Sequence, residues 1–232
     1  MKYIILFCLS LPKILAFDNL FVEPKNPAQV RFKKIFQKED SKIIVNVGTA
    51  GTGKTLFSCQ ESVLSLINKN KKKIILTRPC VSVDNEQVGF LPGDLKDKMD
   101  PWMKPCMDYF EPFLGKSNIL YKKIEICPIA YMRGRTFDNS IIIVEEAQNT
   151  TPIQMKLILT RIGKNSKIVM NGDLTQSDVP TLNGLQDFLN KLSLFYENEQ
   201  FLINDGFHII KYEPEHILRN PIIKTIDKLY SI

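Results

Sequence analysis

Residues 48–55 of this chain read Gly-Thr-Ala-Gly-Thr-Gly-Lys-Thr, a full match to the pattern G-x-x-x-x-G-K-[ST], directly after the apolar run Ile43-Ile44-Val45-Asn46-Val47. That context narrows the fold sharply. A buried strand must hand a tight glycine loop to the start of a helix, where unpaired N–H groups and the positive end of the helix dipole meet anionic oxygens. Gly48, Gly51 and Gly53 let the backbone curl close to phosphates, with Thr49, Ala50 and Thr52 filling the rest of the loop. In such a loop Lys54 reaches the β- and γ-phosphates and the Thr55 hydroxyl ligates Mg²⁺. The bland alternative is a glycine-rich turn before an ordinary helix, a pattern that rarely follows a β-type run by accident.

Past this loop, apolar strands alternate with helical patterns. The spacing predicts a helix over Gly53–Asn68, then strands at Ile74–Thr77, Ser140–Val144 and Lys167–Met170. Pro152 opens a further helix through Arg161, with Thr150 or Thr151 as its cap. Near-continuous apolar strands between helices imply an α/β fold whose parallel sheet is covered on both faces. Ligands of such sheets sit at the carboxyl ends of the strands. The stretch 79–127 is proline-rich and lacks clean periodicity, so it reads as an insertion over the sheet edge with helical fragments near Asp94–Met99 and Pro101–Phe110. The single tryptophan in it, Trp102, reads as core rather than a base-stacking surface.

Two more constellations follow strands. Glu145-Glu146-Ala147-Gln148 comes straight after Ile141–Val144, where the position resembles a Walker B motif. There Glu145 would hold Mg²⁺ and Glu146 would polarise an attacking water. An acidic start to a helix is the simpler alternative. Asn171-Gly172-Asp173-Leu174-Thr175-Gln176 follows the next strand, and its G-D-x-x-Q segment resembles motif III of superfamily 1 helicases, in which the glutamine, here Gln176, senses the γ-phosphate.

Composition sets broad limits. With 44% hydrophobic and 24% charged residues, the chain is an ordinary globular domain. A net charge of +6 suits an anionic partner without demonstrating one. Five cysteines show no C-x-x-C pair, which argues against a zinc or redox site and fits reduced thiols inside a cell. Residues 1–16 form either a short leader ending at Ile14-Leu15-Ala16 or an apolar segment that packs on the domain; 17–232 then form one domain. The default expectation is an intracellular, cytoplasmic protein with no stable membrane association. Phe17 directly after Ala16 resembles the cut site of plastid-targeting leaders, so the leader reading implies plastid import instead.

The motifs together resemble those of the PhoH family of P-loop ATPases, whose RecA-like core is similar to the first motor domain of superfamily 1 helicases. The resemblance rests on Gly48–Thr55, Thr77-Arg78-Pro79, Gly89-Phe90-Leu91-Pro92-Gly93, Lys98–Trp102, Met132-Arg133-Gly134-Arg135-Thr136, Glu145–Thr151, Leu159–Gly163, Gly172–Gln176 and Arg219-Asn220-Pro221. It implies that Gln29 reads the adenine edge and that Arg219 acts as a finger on the γ-phosphate, from a neighbouring subunit of a ring if the protein assembles as one. For Arg133 and Arg135 it leaves nucleotide sensing, subunit contact and a nucleic-acid path open. The chain has only six arginines, and five of them fall in these motifs.

Two departures stand out. Glu145 replaces the family's aspartate, lengthening the magnesium carboxylate by one methylene, and Thr49 stands where the family loop has proline. The sequence shows no second motor domain, nuclease domain or RNA-binding module, so mechanical work would require a homo-oligomeric ring, of which a hexamer is one form, or partners. The expected function is Mg²⁺-dependent ATP hydrolysis coupled to remodelling of RNA or single-stranded DNA. The competing class is a nucleotide-dependent assembly switch with little turnover; a small-molecule kinase would leave Gln176 and Arg219 unexplained.

Overall fold

The computed structural model describes residues 21–79, 103–114, 118–179, 182–216, 222 and 229. Its elements, in chain order, are α1 (Pro27–Gln37), β1 (Ile43–Gly48), α2 (Lys54–Ile67), β2 (Lys73–Thr77), β3 (Ile124–Ile126), β4 (Ser140–Val144), α3 (Pro152–Leu159), β5 (Lys167–Gly172), α4 (Gly184–Phe195), α5 (Glu199–Asn204) and β6 (Phe207–Tyr212), with short helical turns between. All six strands run parallel in the order β3-β2-β4-β5-β1-β6. The phosphate-loop strand β1 therefore lies between β5 and β6, and β4 lies beside β5. The chain folds as a P-loop NTPase, an α/β sheet flanked by helices.

Every residue of β4 and β5 is buried, because helices cover both faces. One core face gathers Phe32, Phe36, Ile44, Phe57, Val63, Ile74 and Ile141 beneath α1 and α2. The other gathers Val45, Ile75, Ile142, Met155, Ile158, Ile168 and Leu185 beneath α3 and α4. Each buried aliphatic side chain contributes about 1.5–3 kcal/mol relative to exposure. Successive residues of one strand thus serve opposite layers, as Ile74 and Ile75 do.

Three expectations change. The stretch 79–127 is not all an insertion: it supplies the edge strand β3, which pairs with β2. Met103, Phe110 and Phe113 from the same stretch are buried in the first core, and Phe113 stacks on Phe21 at 4.8 Å. Short fragments around prolines gave no period to read, yet their apolar side chains fill the space beside α2. The predicted Asp94–Met99 fragment, Trp102 and residues 1–16 lie outside the described residues. The helix expected over Gly53–Asn68 runs Lys54–Ile67 and is buried nearly all round, with Ser58, Gln60, Glu61 and Ser62 inside. Ser58 and Ser62 hydroxyls donate to carbonyls one turn back, and Gln60 exchanges hydrogen bonds with the Val22 backbone, which makes the burial of these three tolerable. The helix from Pro152 stops at Leu159, and of its two candidate caps Thr151 forms a reciprocal capping box with Gln154. Among the described residues no helix is long and apolar enough to cross a membrane.

Candidate nucleotide-binding site

The register places the chemistry. Val47 pairs with Gly172, and Thr77 pairs with Val144, so the loops after β1, β4 and β5 leave the sheet at one edge. Gly48, Gly51 and Gly53 have φ of 149°, 82° and 89°, values a side chain resists. Gly48 is also squeezed laterally. A Cβ there would lie 2.1 Å from the Tyr212 carbonyl oxygen of β6, so glycine is required by close approach as well as by φ. These loops enclose a cavity of about 260 Å³ lined by Ala50, Gly51, Gly53, Lys54, Thr55, Glu145, Glu146, Asn171, Asp173 and Gln176, with Leu56 and Tyr109 at its side.

Within the cavity Lys54 Nζ donates to the carbonyls of Gly48 at 2.5 Å and Thr49 at 2.8 Å. Phosphate oxygens entering the loop would compete with these carbonyls for the ammonium. The Thr55 hydroxyl donates to Glu145 Oε2 at 2.8 Å, which brings together the two residues the sequence assigns to magnesium. Burial, helped by the Glu146 charge, raises Glu145 to about 7, against the pull of hydrogen bonds from Asn171 and Thr55 and of Lys54. A hydroxyl and an oxygen-donor carboxylate in contact, the latter short of compensating positive charge, are the donor set a hard divalent cation takes. The residues fit the ion. The extra methylene of Glu145 does not carry its carboxylate away from Thr55.

Glu146 is half-buried beside this pair, with φ 52° and ψ 45°, a left-handed conformation that costs a non-glycine residue free energy. Its carboxylate accepts from Gln148 Nε2 at 2.6 Å. The same Gln148 amide donates to the Gln176 carbonyl and accepts from the Asp173 N–H at 3.1 Å, so one side chain joins the loop after β4 to the loop after β5. Asp173 Oδ1 accepts from the backbone and hydroxyl of Thr175, while its buried Oδ2 has no partner among the described residues. Gln176 is exposed at the cavity mouth.

Gln29 takes a position at the loop's back. Its Nε2 donates to the Thr52 carbonyl at 2.9 Å and its Oε1 accepts from the Lys25 N–H at 2.7 Å, with the side chain fully buried. A Cβ on Gly53 would meet that amide at 2.8 Å. The contact seen is thus with the phosphate loop itself. Arg135 pairs with Glu125 at 2.6 Å and lies over Phe137, and Arg161 donates to the Arg135 carbonyl; both hold the β3–β4 crossover together. Arg219 lies outside the described residues. The motifs include Gln148 and Asn171 but give them no role of their own, and no motif points to Asn46 or Ser58. Polar residues at buried positions of a strand or helix (Asn46, Asn171, Ser58) were the available signal, since an amide inside a parallel sheet needs a partner.

A family model described as PhoH-like protein matches residues 21–231. The chain is 40% identical over 214 residues to a PhoH-like protein of Bacillus subtilis, covering 90% of this chain and 64% of that one. It is 45% identical over 218 residues to a PhoH-like protein of Synechocystis, with 90% and 62% covered, and 39% identical over 222 residues to Protein PhoH of Escherichia coli, with 92% and 59% covered. The chain thus spans about six tenths of the length of these curated relatives. Among solved structures, a Sulfolobus solfataricus SWI2/SNF2 ATPase core in complex with double-stranded DNA aligns at TM-score 0.49 and 14% identity over 82% of this chain and 45% of that one. A Bacteroides Pif1 in complex with ADP-AlF4 aligns at TM-score 0.39 and 16% identity over 90% and 46%. Likenesses of that size add nothing to the sheet order already seen. The phosphate loop, the paired glutamates after β4 and the Gly172–Gln176 loop sit in one cavity on a chain matched nearly end to end by one family model: the chain belongs to the PhoH family.

Proposed function

We propose that this chain binds ATP with Mg²⁺ and hydrolyses it, and that a homo-oligomeric ring couples the hydrolysis to remodelling of RNA or single-stranded DNA. The observation that carries the reading is the 2.8 Å contact between Thr55 and Glu145 in the cavity that also holds Lys54 and Glu146. Backbone N–H groups of the Gly48–Thr55 loop and the N-terminus of α2 take the phosphate oxygens. Lys54 leaves the Gly48 and Thr49 carbonyls for the β- and γ-phosphates. Thr55 and Glu145 would hold Mg²⁺, which would supply charge neutralisation at the phosphates.

Glu146 is the general base. Held by Gln148, its carboxylate accepts a proton from the water whose oxygen attacks the γ-phosphorus in line, while the bond to the β–γ bridging oxygen breaks and leaves with ADP. Gln176 at the cavity mouth reports the γ-phosphate, and Gln148 passes a change in the Gln176 loop to the base. Gln29 supports the phosphate loop from behind, its buried amide donating to the Thr52 carbonyl.

Steady-state ATP hydrolysis by the full chain, with and without single-stranded RNA or DNA and with Glu146→Gln as the blank, tests the proposal. Turnover that rises with a single strand is the expected result. Turnover indifferent to both polymers would instead make the protein a nucleotide-dependent assembly switch.

A further inference from the structure

We infer that Asn171 is a positioning residue that holds the magnesium carboxylate in place, and that this chain needs it because that carboxylate is a glutamate. The inference rests on the proposed Mg²⁺-ATP site. Asn171 Nδ2 donates to Glu145 Oε1 at 2.6 Å, while Oε2 faces Thr55 at 2.8 Å. One carboxylate oxygen is therefore occupied, and the other is presented to the cavity. The amide of Asn171 is itself oriented. Its Oδ1 accepts from Asn46 Nδ2 at 2.8 Å and lies 3.1 Å from the Ser58 hydroxyl, whose one proton is shared with the Lys54 carbonyl at 2.8 Å. Reversing the amide would place an oxygen against the Glu145 carboxylate and an NH₂ against that of Asn46.

The mount is rigid. Asn46 and Asn171 are register partners on adjacent strands, β1 and β5, both buried, so the chain of contacts from sheet to carboxylate has no loop in it. A glutamate has one more rotatable bond than an aspartate, and Mg²⁺ requires tight octahedral geometry. Holding Oε1 removes the freedom the extra methylene brings. A partner outside the ligand set that orients a carboxylate in this way is typically worth about 10–100-fold in metal affinity.

The test is binding of a fluorescent ATP analogue to the full chain, titrated with Mg²⁺ and repeated in a chelator. Asn171→Ala is expected to raise the Mg²⁺ concentration for half-saturation about 10–100-fold and to leave metal-free nucleotide affinity within about twofold. In a Glu145→Asp background, whose shorter carboxylate draws back from the amide, the same substitution is expected to have little effect, so the pair is strongly non-additive. Equal effects in both backgrounds, or an unchanged Mg²⁺ requirement in Asn171→Ala, would overturn the inference and leave the ATP site standing. Wild-type affinity indifferent to Mg²⁺ would overturn the site and the inference together. If Asn171→Ala fails to fold, Asn46→Ala unseats the amide without touching Glu145, and an unshifted Mg²⁺ requirement there is equally fatal.

Discussion

In the proposed mechanism Glu146 carries the proton transfer, and its geometry is unusual. Its left-handed backbone costs about 1–3 kcal/mol, and the surrounding contacts must hold it: Gln148 on the carboxylate, and the Asn149 N–H on its carbonyl. Glu146→Gln removes the base and keeps the shape, so turnover is expected to fall about 10²–10⁴-fold with ATP affinity nearly intact, as measured by hydrolysis alongside equilibrium binding. Lys54→Ala deletes the only ammonium lining the cavity among the described residues; no detectable hydrolysis is expected, and normal turnover would sink the phosphate-loop reading. At this scale Lys54, Thr55, Glu145 and Glu146 were legible in the sequence because the motif spacing is local. Gln148 and Asn171 acquire their roles from partners 25 and 26 residues away, Asp173 and Glu145, and no spacing rule announces them.

Between elements the constraint is close approach. The α4 start is packed so tightly on the turn before α3 that a Cβ on Gly184 would lie 2.5 Å from the Thr151 carbonyl oxygen. Gly48→Ala presses on β6 from an unfavourable φ, so a loss at the upper end of the about 1–3 kcal/mol typical of overpacking is expected, read as a lower urea midpoint. Where β6 begins, His208 is buried and shares a 2.9 Å hydrogen bond with Ser41. Burial, followed by the nearby Lys38, lowers its pKa below 6.5; Lys167 and Arg31 act in the same direction and Asp40 against it. The unfolded chain then binds the proton more readily, so this residue's contribution is intact above about pH 6.5 and is lost as pH falls below it. Thermal unfolding from pH 7.5 to 5.5 is expected to show a shallower loss of stability in His208→Gln than in wild type. The strands β3 and β6 escaped sequence reading for opposite reasons: Ile124–Ile126 is three residues long, and Phe207–Tyr212 alternates buried with half-exposed positions, unlike the wholly apolar central strands.

On the scale of the whole molecule, Lys54 is the only basic side chain lining the cavity among the described residues. If Arg219 serves a neighbour in a ring, Arg219→Ala is expected to lower turnover on the order of 10³-fold while ATP still binds. Mixing it with Lys54→Ala should then restore part of the activity, because a Lys54→Ala subunit still supplies Arg219 to a neighbouring site whose Lys54 is intact; inactive mixtures would place Arg219 in its own subunit's site or nowhere near one. Taken alone, the sequence determined the α/β class, the four central strands and the order of the three phosphate-facing loops, because fully buried parallel strands read as unbroken apolar runs and glycine loops carry their own spacing. Only the tertiary structure decided which strands are neighbours, that Asn46 faces Asn171, and that part of a proline-rich stretch is core. The physical reason is that strand pairing in a parallel sheet joins residues far apart in sequence, as β1 and β5 are, so the partners that satisfy a buried amide or orient a carboxylate exist only once the sheet has formed.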